Sequence, residues 1–409
     1  MNKISARVLS LPSRADVREE AGRLGVEPAV LEGFAGGFGA EMVKLSGVAP
    51  EVITTLQGMV SPPAGLAAVY RSDGGTSVLL AGSMPLLLDA ATRLETFGDA
   101  TAKAAAAELS ITLDRYRGRR VGALRCGSHT LEWGKRTYVM GIINVTPDSF
   151  SGDGIGANVN AALAQALRFV EEGVDILDVG GESTRPGSET VSDEEEIARV
   201  VPVIERLAKV VSVPISVDSY KVEVVRRALD AGASIINDIW GLRHDPELAT
   251  LAAERGVPII LMHNRRALAS KTELGGHFRQ VEYHDLMEEV IDGLRESVDV
   301  ALERGVKWEN MIVDPGIGFG KTPQHNLVVM RRLRELRSLG RPILMGTSRK
   351  SVIGLTLGVA MEDRVEGTGA TVAASIFNGA DIVRVHDVKE MVRVSRMTDA
   401  IIRPTLSDE

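Results

Sequence analysis

The chain has little of several things. One cysteine, Cys126, stands in 409 residues. An internal disulfide framework is therefore excluded, and the usage fits a reducing, cytoplasmic setting. A lone thiol of this kind reads as a small buried hydrophobe rather than a nucleophile. Basic charge is in deficit: 47 Lys and Arg stand against 55 Asp and Glu, a formal net charge of −8, with no basic tract. Nucleic acid and anionic membrane are not expected as partners. No run reaches about 18 consecutive apolar residues, so no transmembrane helix is expected. The N-terminal stretch is charged throughout and has no apolar core of the kind a secretory leader needs. His244, His277, His284 and His325 lack zinc-type spacing, and no zinc site is expected.

Hydrophobic content of 44% and charge of 25% describe an ordinary globular protein. The length calls for two domains. Residues 1–123 read as a small α+β domain of unknown role. It has a helical opening broken by the glycine-rich stretch 33–39, strand candidates at 67–71 and 77–81, and a helix over 85–109. Residues 121–133 alternate about a turn at Gly127 and Ser128, as a hairpin does.

From residue 124 to 409 the rhythm is regular. Strand candidates are 138–144, 174–179, 214–218, 234–237, 257–262, 311–314, 343–346 and 381–385. Helices fit at 157–172, 193–211, 221–231, 245–255, 283–304, 323–339, 366–378 and 387–402. Gly173, Gly232, Gly256, Gly305 and Gly379 end helices just before the next strand. Eight such units predict a closed (β/α)8 TIM barrel rather than an open sheet. In such barrels the C-terminal strand ends carry the chemistry. Here they fall near Asn144, Asp178, Asp218, Asn237, Met262 and His263, Asp314, Ser348 to Lys350, and Arg384 to His386. Carboxylates and amides suit a heterocycle, and cations suit phosphate.

The first strand runs into NVTPDSFSGDG, residues 144–154. As a plain connector it is long; glycines around one aromatic, Phe150, suit a mobile lid. The second strand ends in DVGGESTRPG, residues 178–187, where Arg185 offers a planar fork for phosphate or carboxylate. The competing reading of Arg185 is an ion pair with the acidic helix at residues 194–196. Asp218, Asn237 and Asp314 end three further strands. Each carboxylate alone would serve equally well as a helix cap, but their convergence on one rim favours a ligand. Arg384 and His386, two apart on one strand, share a side; with Asn144 and Arg185 they can surround a diphosphate. GIGFGK, residues 316–321, lacks the spacing of a P-loop.

In GIINVTPDSFS, GGESTRPG, VDPGIGFGK, GTSRK and RVHD the chain resembles dihydropteroate synthases, over about residues 124–404. The resemblance implies that p-aminobenzoate is joined to 6-hydroxymethyl-7,8-dihydropterin diphosphate in folate biosynthesis, giving 7,8-dihydropteroate and diphosphate. It implies a pterin set of Asp218, Asn237, Asp314 and Lys350, with Met262 suited to pack on the flat ring. Asn144, Arg185, Arg384 and His386 then attend the diphosphate, with Mg2+ on Asn144. Phe319 and Ser348, with Phe150, Thr184 and Pro186 of the loops, attend p-aminobenzoate, and a helix start at Ser348 would receive its carboxylate. A dissociative reaction without a protein nucleophile and a homodimer formed through barrel helices are also implied. Residues after His263 depart from the family's common Met-Gln-Gly. Two other readings remain: a pterin-dependent methyltransferase, and a non-catalytic pterin-binding regulatory protein.

Overall fold

A computed structural model describes residues 4–35, 40–58, 67–70, 77–96, 100–118, 122–145, 155–183, 190–265 and 281–403. The chain forms two compact units. One is Met1–Arg119 with Arg334–Gly340; the other is Arg120–Leu333 with Arg341–Glu409.

The first unit contains β1 (Ser5–Leu9), α1 (Arg14–Leu24), α2 (Pro28–Ala35), β2 (Ala40–Ser46), α3 (Pro50–Gly58), β3 (Ala67–Tyr70), β4 (Ser77–Ser83), α4 (Met84–Thr96) and α5 (Ala100–Arg117). The four strands form one antiparallel sheet in the order β1-β2-β4-β3. Strand side chains alternate between two cores. Val8, Val43, Leu45, Val78 and Leu80 pack with Leu94, Leu109 and Leu113 of α4 and α5. Leu9, Met42, Leu79 and Ala81 pack with Val17, Leu24 and Leu31 of α1 and α2. The expected opening helix is thus preceded by a strand, β2 and α3 are additional, and the helix expected over 85–109 is divided between α4 and α5.

Charge is buried on the α1 side. Arg7 lies 2.6 Å from Glu335 and 3.2 Å from Glu20, and Lys44 lies 3.4 Å from Glu20. The segment Arg334–Gly340 also serves the edge strand β1. Val8 N donates to Ser338 Oγ at 3.0 Å and Ser10 N to Glu335 Oε1 at 3.0 Å. An edge strand presents unpaired N–H groups that must find partners.

The second unit opens with the hairpin β5 (Ala123–Cys126) and β6 (His129–Glu132). Strands and helices then alternate: β7 (Tyr138–Asn144), α6 (Ile155–Glu171), β8 (Ile176–Gly180), α7 (Asp193–Leu207), β9 (Ile215–Asp218), α8 (Val222–Asp230), β10 (Ile235–Asp238), α9 (Glu247–Arg255), β11 (Ile259–Met262), α10 (Leu286–Glu303), β12 (Met311–Asp314), α11 (Pro323–Arg331), β13 (Leu344–Met345), α12 (Ser351–Leu357), α13 (Val365–Phe377), β14 (Ile382–Val385) and α14 (Val388–Ile402). Strands β7 to β14 run parallel in the order β12-β11-β10-β9-β8-β7-β14-β13. A parallel bridge between Val313 and Ile343 joins the two ends, closing the (β/α)8 barrel. All five helix-ending glycines expected from the sequence have positive φ, from 64° at Gly256 to 116° at Gly232, a conformation that other residues adopt at a cost. The helix expected over 323–339 ends at Arg331, and its remainder is a 3-10 turn, Leu333–Leu339.

The hairpin plugs one end of the barrel. Leu124, Cys126 and Leu131 pack with Met140, Ile176, Ile235, Ile260, Ile312, Leu344 and Ile382. Burial pushes the Cys126 thiol up to about 12, so it packs as a hydrophobe. Among the described residues no helix is long and apolar enough to cross a membrane.

Candidate active site

The plugged apolar layer fixes where the polar one lies. Side chains of a strand repeat on one face every second residue. Two positions beyond Met140, Ile176, Ile235, Ile260, Ile312, Leu344 and Ile382 stand Ile142, Asp178, Asn237, Met262, Asp314, Gly346 and Arg384. These face the same interior, one layer nearer the C-terminal strand ends. Asp218 joins them through register, pairing with Asn237 on one side and Gly180 on the other. Gly180 in turn pairs with Asn144. A Cβ at Gly180 would lie 3.3 Å from Asp218 Cβ, so glycine there leaves Asp218 its room.

Arg384 organises this layer. Its Nε donates to Asp178 Oδ2 and its Nη2 to Asp218 Oδ2, each at 2.6 Å. Burial would depress the guanidinium, but Asp178 and Asp218 outweigh it and hold the charge firmly. Asn237 Nδ2 donates to Asp178 Oδ2 at 3.1 Å. Asp178 is fully buried, and among the described residues its Oδ1 has no hydrogen-bond partner. It is the residue to which the sequence reading gave no role, although it ends a strand. Burial pushes Asp218 up to about 7 against the pull of Arg384, with Asp178 adding to the rise. Asp314 is raised by burial against the N–H of Gly316, which it accepts at 2.7 Å, and the charge of Lys350.

The last two strands carry a second cluster. Ser348 Oγ lies 3.0 Å from His386 Nδ1, and the His386 N–H donates to the same oxygen at 3.1 Å. Burial, then the charges of Arg384 and Arg349, drive His386 down to about 3. Its imidazole is neutral in this structure and serves as a hydrogen-bonding group rather than a cation. Between Ser348 and Lys350, Arg349 takes φ 55°, an uncommon value for a residue with a side chain. It is held there by Asp387, which accepts from its guanidinium, by Thr368 Oγ1, and by Arg364, which donates to its carbonyl at 2.9 Å. The helix start expected at Ser348 is therefore corrected: the left-handed Arg349 delays it, and α12 begins at Ser351. Lys350 Nζ stands 4.5 Å from the centre of the Phe319 ring. Met262 is buried at the end of β11.

The barrel thus gathers Asp218, Asn237, Met262, Asp314 and Arg384 within one layer, pairs Ser348 with His386, and sets Lys350 beside Phe319. Asn144 ends β7, half-buried, at the same rim. Phe150, Thr184, Arg185 and Pro186 lie outside the described residues. Two acidic residues weighed as partners for Arg185 have cations of their own: Glu195 pairs with Arg199, and Glu196 lies 2.8 Å from Lys221.

The model of the pterin binding enzyme family matches residues 140–386. The dihydropteroate synthase of Bacillus subtilis is 51% identical over 272 residues, spanning 66% of this chain and 91% of that protein. A Clostridium difficile dihydropteroate synthase, solved in the presence of pteroic acid, superposes with a TM-score of 0.62 at 47% identity, covering 67% of this chain and 99% of that one. A Xanthomonas albilineans dihydropteroate synthase in complex with 7,8-dihydropteroate superposes with a TM-score of 0.62 at 39% identity, covering 69% and 100%. The chain belongs to the family of pterin binding enzymes. Within that family the relatives named above are dihydropteroate synthases, each matched over most of its own length.

Proposed function

We propose that this chain is a transferase that joins p-aminobenzoate to 6-hydroxymethyl-7,8-dihydropterin diphosphate in folate biosynthesis, releasing 7,8-dihydropteroate and diphosphate. The observation that carries this reading is the Asp178–Arg384–Asp218 cluster. It sets carboxylates that accept ring N–H groups against a cation suited to a departing anion, all in one buried layer. Buried, charge-assisted hydrogen bonds of this kind are the strong ones. Asp218, Asp314 and Asn237 read the ring edge, Lys350 donates to it, and Met262 covers its flat face. Arg384 and His386, with Asn144 and Arg185, hold the diphosphate. Phe319 and Ser348, with Phe150, Thr184 and Pro186, hold p-aminobenzoate.

In the reaction the bond between the pterin methylene carbon and the diphosphate oxygen breaks, and its electron pair leaves with the diphosphate. The amine nitrogen of p-aminobenzoate bonds to the methylene carbon and gives up a proton. No protein nucleophile is required. Preorganised charge aimed at the developing anion is the chief contribution such a site makes, and Arg384, held from behind by Asp178, is oriented for it. Exclusion of water by the loops after β7 and β8 protects the cationic pterin from hydrolysis.

Mg2+ fits the donor set. Mg2+ takes one or two protein oxygens, with the rest of its shell from phosphate and water, and the side-chain amide of Asn144 at the end of β7 offers such an oxygen. Asn144 would hold it, and the ion would offset charge on the diphosphate. A homodimer and a cytoplasmic location complete the reading. Support for the dimer is the exposed apolar series Leu355, Leu357, Met361, Phe377, Met397 and Ile401 on and between α12, α13 and α14. Support for the location is the single free thiol.

A diphosphate-release assay tests the reading. Release should require both substrates. Methyl transfer to a corrinoid protein would support the methyltransferase reading, and pterin binding without release would support the regulatory one.

A further inference from the structure

The GIGFGK stretch has an unassigned member, Lys321. It is 2% exposed, lying beneath the loop that joins β12 to α11. Its Nζ donates to the carbonyls of Gly316 at 3.1 Å and Phe319 at 3.2 Å, and sits 2.9 Å from His263 Nδ1. An ammonium has three N–H donors, and three acceptors are in place. Burial, then the charge of Lys321, pushes His263 well below the ordinary imidazole range. The ring is therefore neutral, and its Nδ1 accepts from Lys321.

These three acceptors sit on the end of β11 and on both ends of the Gly316–Phe319 turn. The turn is tight: Phe319 N donates to Gly316 O at 3.2 Å. A Cβ at Gly316, whose φ is 69°, would lie 2.1 Å from the carbonyl oxygen of His263. Backbone is thus pressed against backbone, and Lys321 is the group that bridges the two. Further along, Tyr283 Oη donates to Gly320 O at 2.8 Å and Gly318 N donates to Asn326 Oδ1 at 2.9 Å. The element so fixed carries the Phe319 ring, over which Lys350 Nζ stands.

We propose that Lys321 is a positioning residue for the second substrate: by binding Gly316, Phe319 and His263 together it holds the Phe319 ring as a wall of the p-aminobenzoate pocket and so sets KM for p-aminobenzoate. This rests on the reading of Phe319 given above. The ammonium is needed in full, because a neutral amine has only two N–H donors for three acceptors. Its surroundings place the change within reach. Burial, opposed by Asp314 and aided by Arg265 and Arg243, lowers Lys321 to about 7. His263 is neutral, and Glu289 is engaged with Arg265 at 2.7 Å.

Steady-state kinetics on the full-length protein test the proposal. Lys321→Met should raise KM for p-aminobenzoate about tenfold or more, because a small misplacement of a substrate wall has large effects. The KM for the pterin diphosphate should change by less than about threefold. In the unmodified protein, KM for p-aminobenzoate should rise at least about threefold between about pH 6 and about pH 9 as the third proton is lost, and the variant should show no such rise. An unchanged KM in a folded Lys321→Met protein overturns the proposal. So does a flat profile in the unmodified protein, a measurement that stands even if the variant does not fold. Phe319→Ala separates the two ideas. If it leaves KM for p-aminobenzoate unchanged, the pocket reading is wrong; if it raises KM while Lys321→Met does not, only the role of Lys321 is wrong.

Discussion

Arg384 Nη2 lies 2.6 Å from Asp218 Oδ2. A group expected at the leaving diphosphate is thereby bonded to a group expected at the pterin ring, and the two halves of the site are one electrostatic unit. The sequence alone suggests that Arg384→Ala lowers turnover more than pterin affinity. The ion pair changes that expectation. Removing the guanidinium leaves Asp178 and Asp218 as neighbouring buried carboxylates without their counter-charge, and breaking such a pair costs about 3–5 kcal/mol. Calorimetric pterin affinity and turnover should both fall in Arg384→Ala. Native affinity with reduced turnover would contradict the coupling.

Asp178 is predicted to matter as much as the residues that touch substrate. It holds both Arg384 and Asn237 through one oxygen. Asp178→Asn keeps the shape but loses the charge, and truncating one side of a buried charged pair costs about 2–5 kcal/mol. The expected result is a fall in kcat/KM of about thirtyfold or more with an unaltered circular dichroism spectrum. Activity within a few-fold of the unmodified protein would remove Asp178 from the account.

Pterin affinity should depend on pH through Asp218. Ring N–H groups need an ionised acceptor, and burial raises this carboxyl to about 7. The carboxylate form is thus present above about 7 and lost as pH falls. Affinity should weaken by about tenfold for each pH unit below that point. In Asp218→Ala, affinity should be lower by about 1–3 kcal/mol or more and the pH dependence should vanish. A pH-independent affinity in the unmodified protein would show that another group accepts the ring donors.

In the first unit, Arg7 and Glu335 form a buried pair 2.6 Å apart. Glu335→Gln removes the nearer of two carboxylates that Arg7 binds, Glu20 being the other, and urea unfolding should report a loss of about 1–3 kcal/mol in the transition of this unit. Replacing both, as Arg7→Met with Glu335→Leu, should recover much of that loss, because an apolar pair of similar volume tolerates burial. A double variant no better than the single one would argue that the hydrogen bond from Ser10 N to Glu335 matters more than the charges.

The barrel was legible because its repeat is local. A strand followed by a helix and a terminating glycine can be read within each unit, and the five glycines at positive φ are the physical reason. The site was legible as far as strand ends allowed: Asp218, Asn237, Met262, Asp314 and Arg384 share one layer. Asp178 was within reach too, since it stands two residues after Ile176 just as Asp314 follows Ile312. Counting from the apolar floor finds it, whereas counting polar strand ends gives it no partner. Ser348 was misread as a helix start because nothing local announces that Arg349 adopts a left-handed conformation. The first unit was harder for a different reason. Its sheet is buried on both faces, so β1 and β2 lack clean alternation, and Arg7 and Lys44 look like surface residues. One counter-charge of Arg7, Glu335, lies 328 positions further along the chain, where no local pattern connects the two.

The most direct test of the whole account is the mass of the product. Purified protein should be given the pterin diphosphate, p-aminobenzoate and Mg2+, and the reaction followed by mass spectrometry. The account predicts one new species containing pterin and p-aminobenzoate joined without phosphate, formed in step with free diphosphate. Diphosphate released at the same rate without p-aminobenzoate, or no joined species at all, would contradict it.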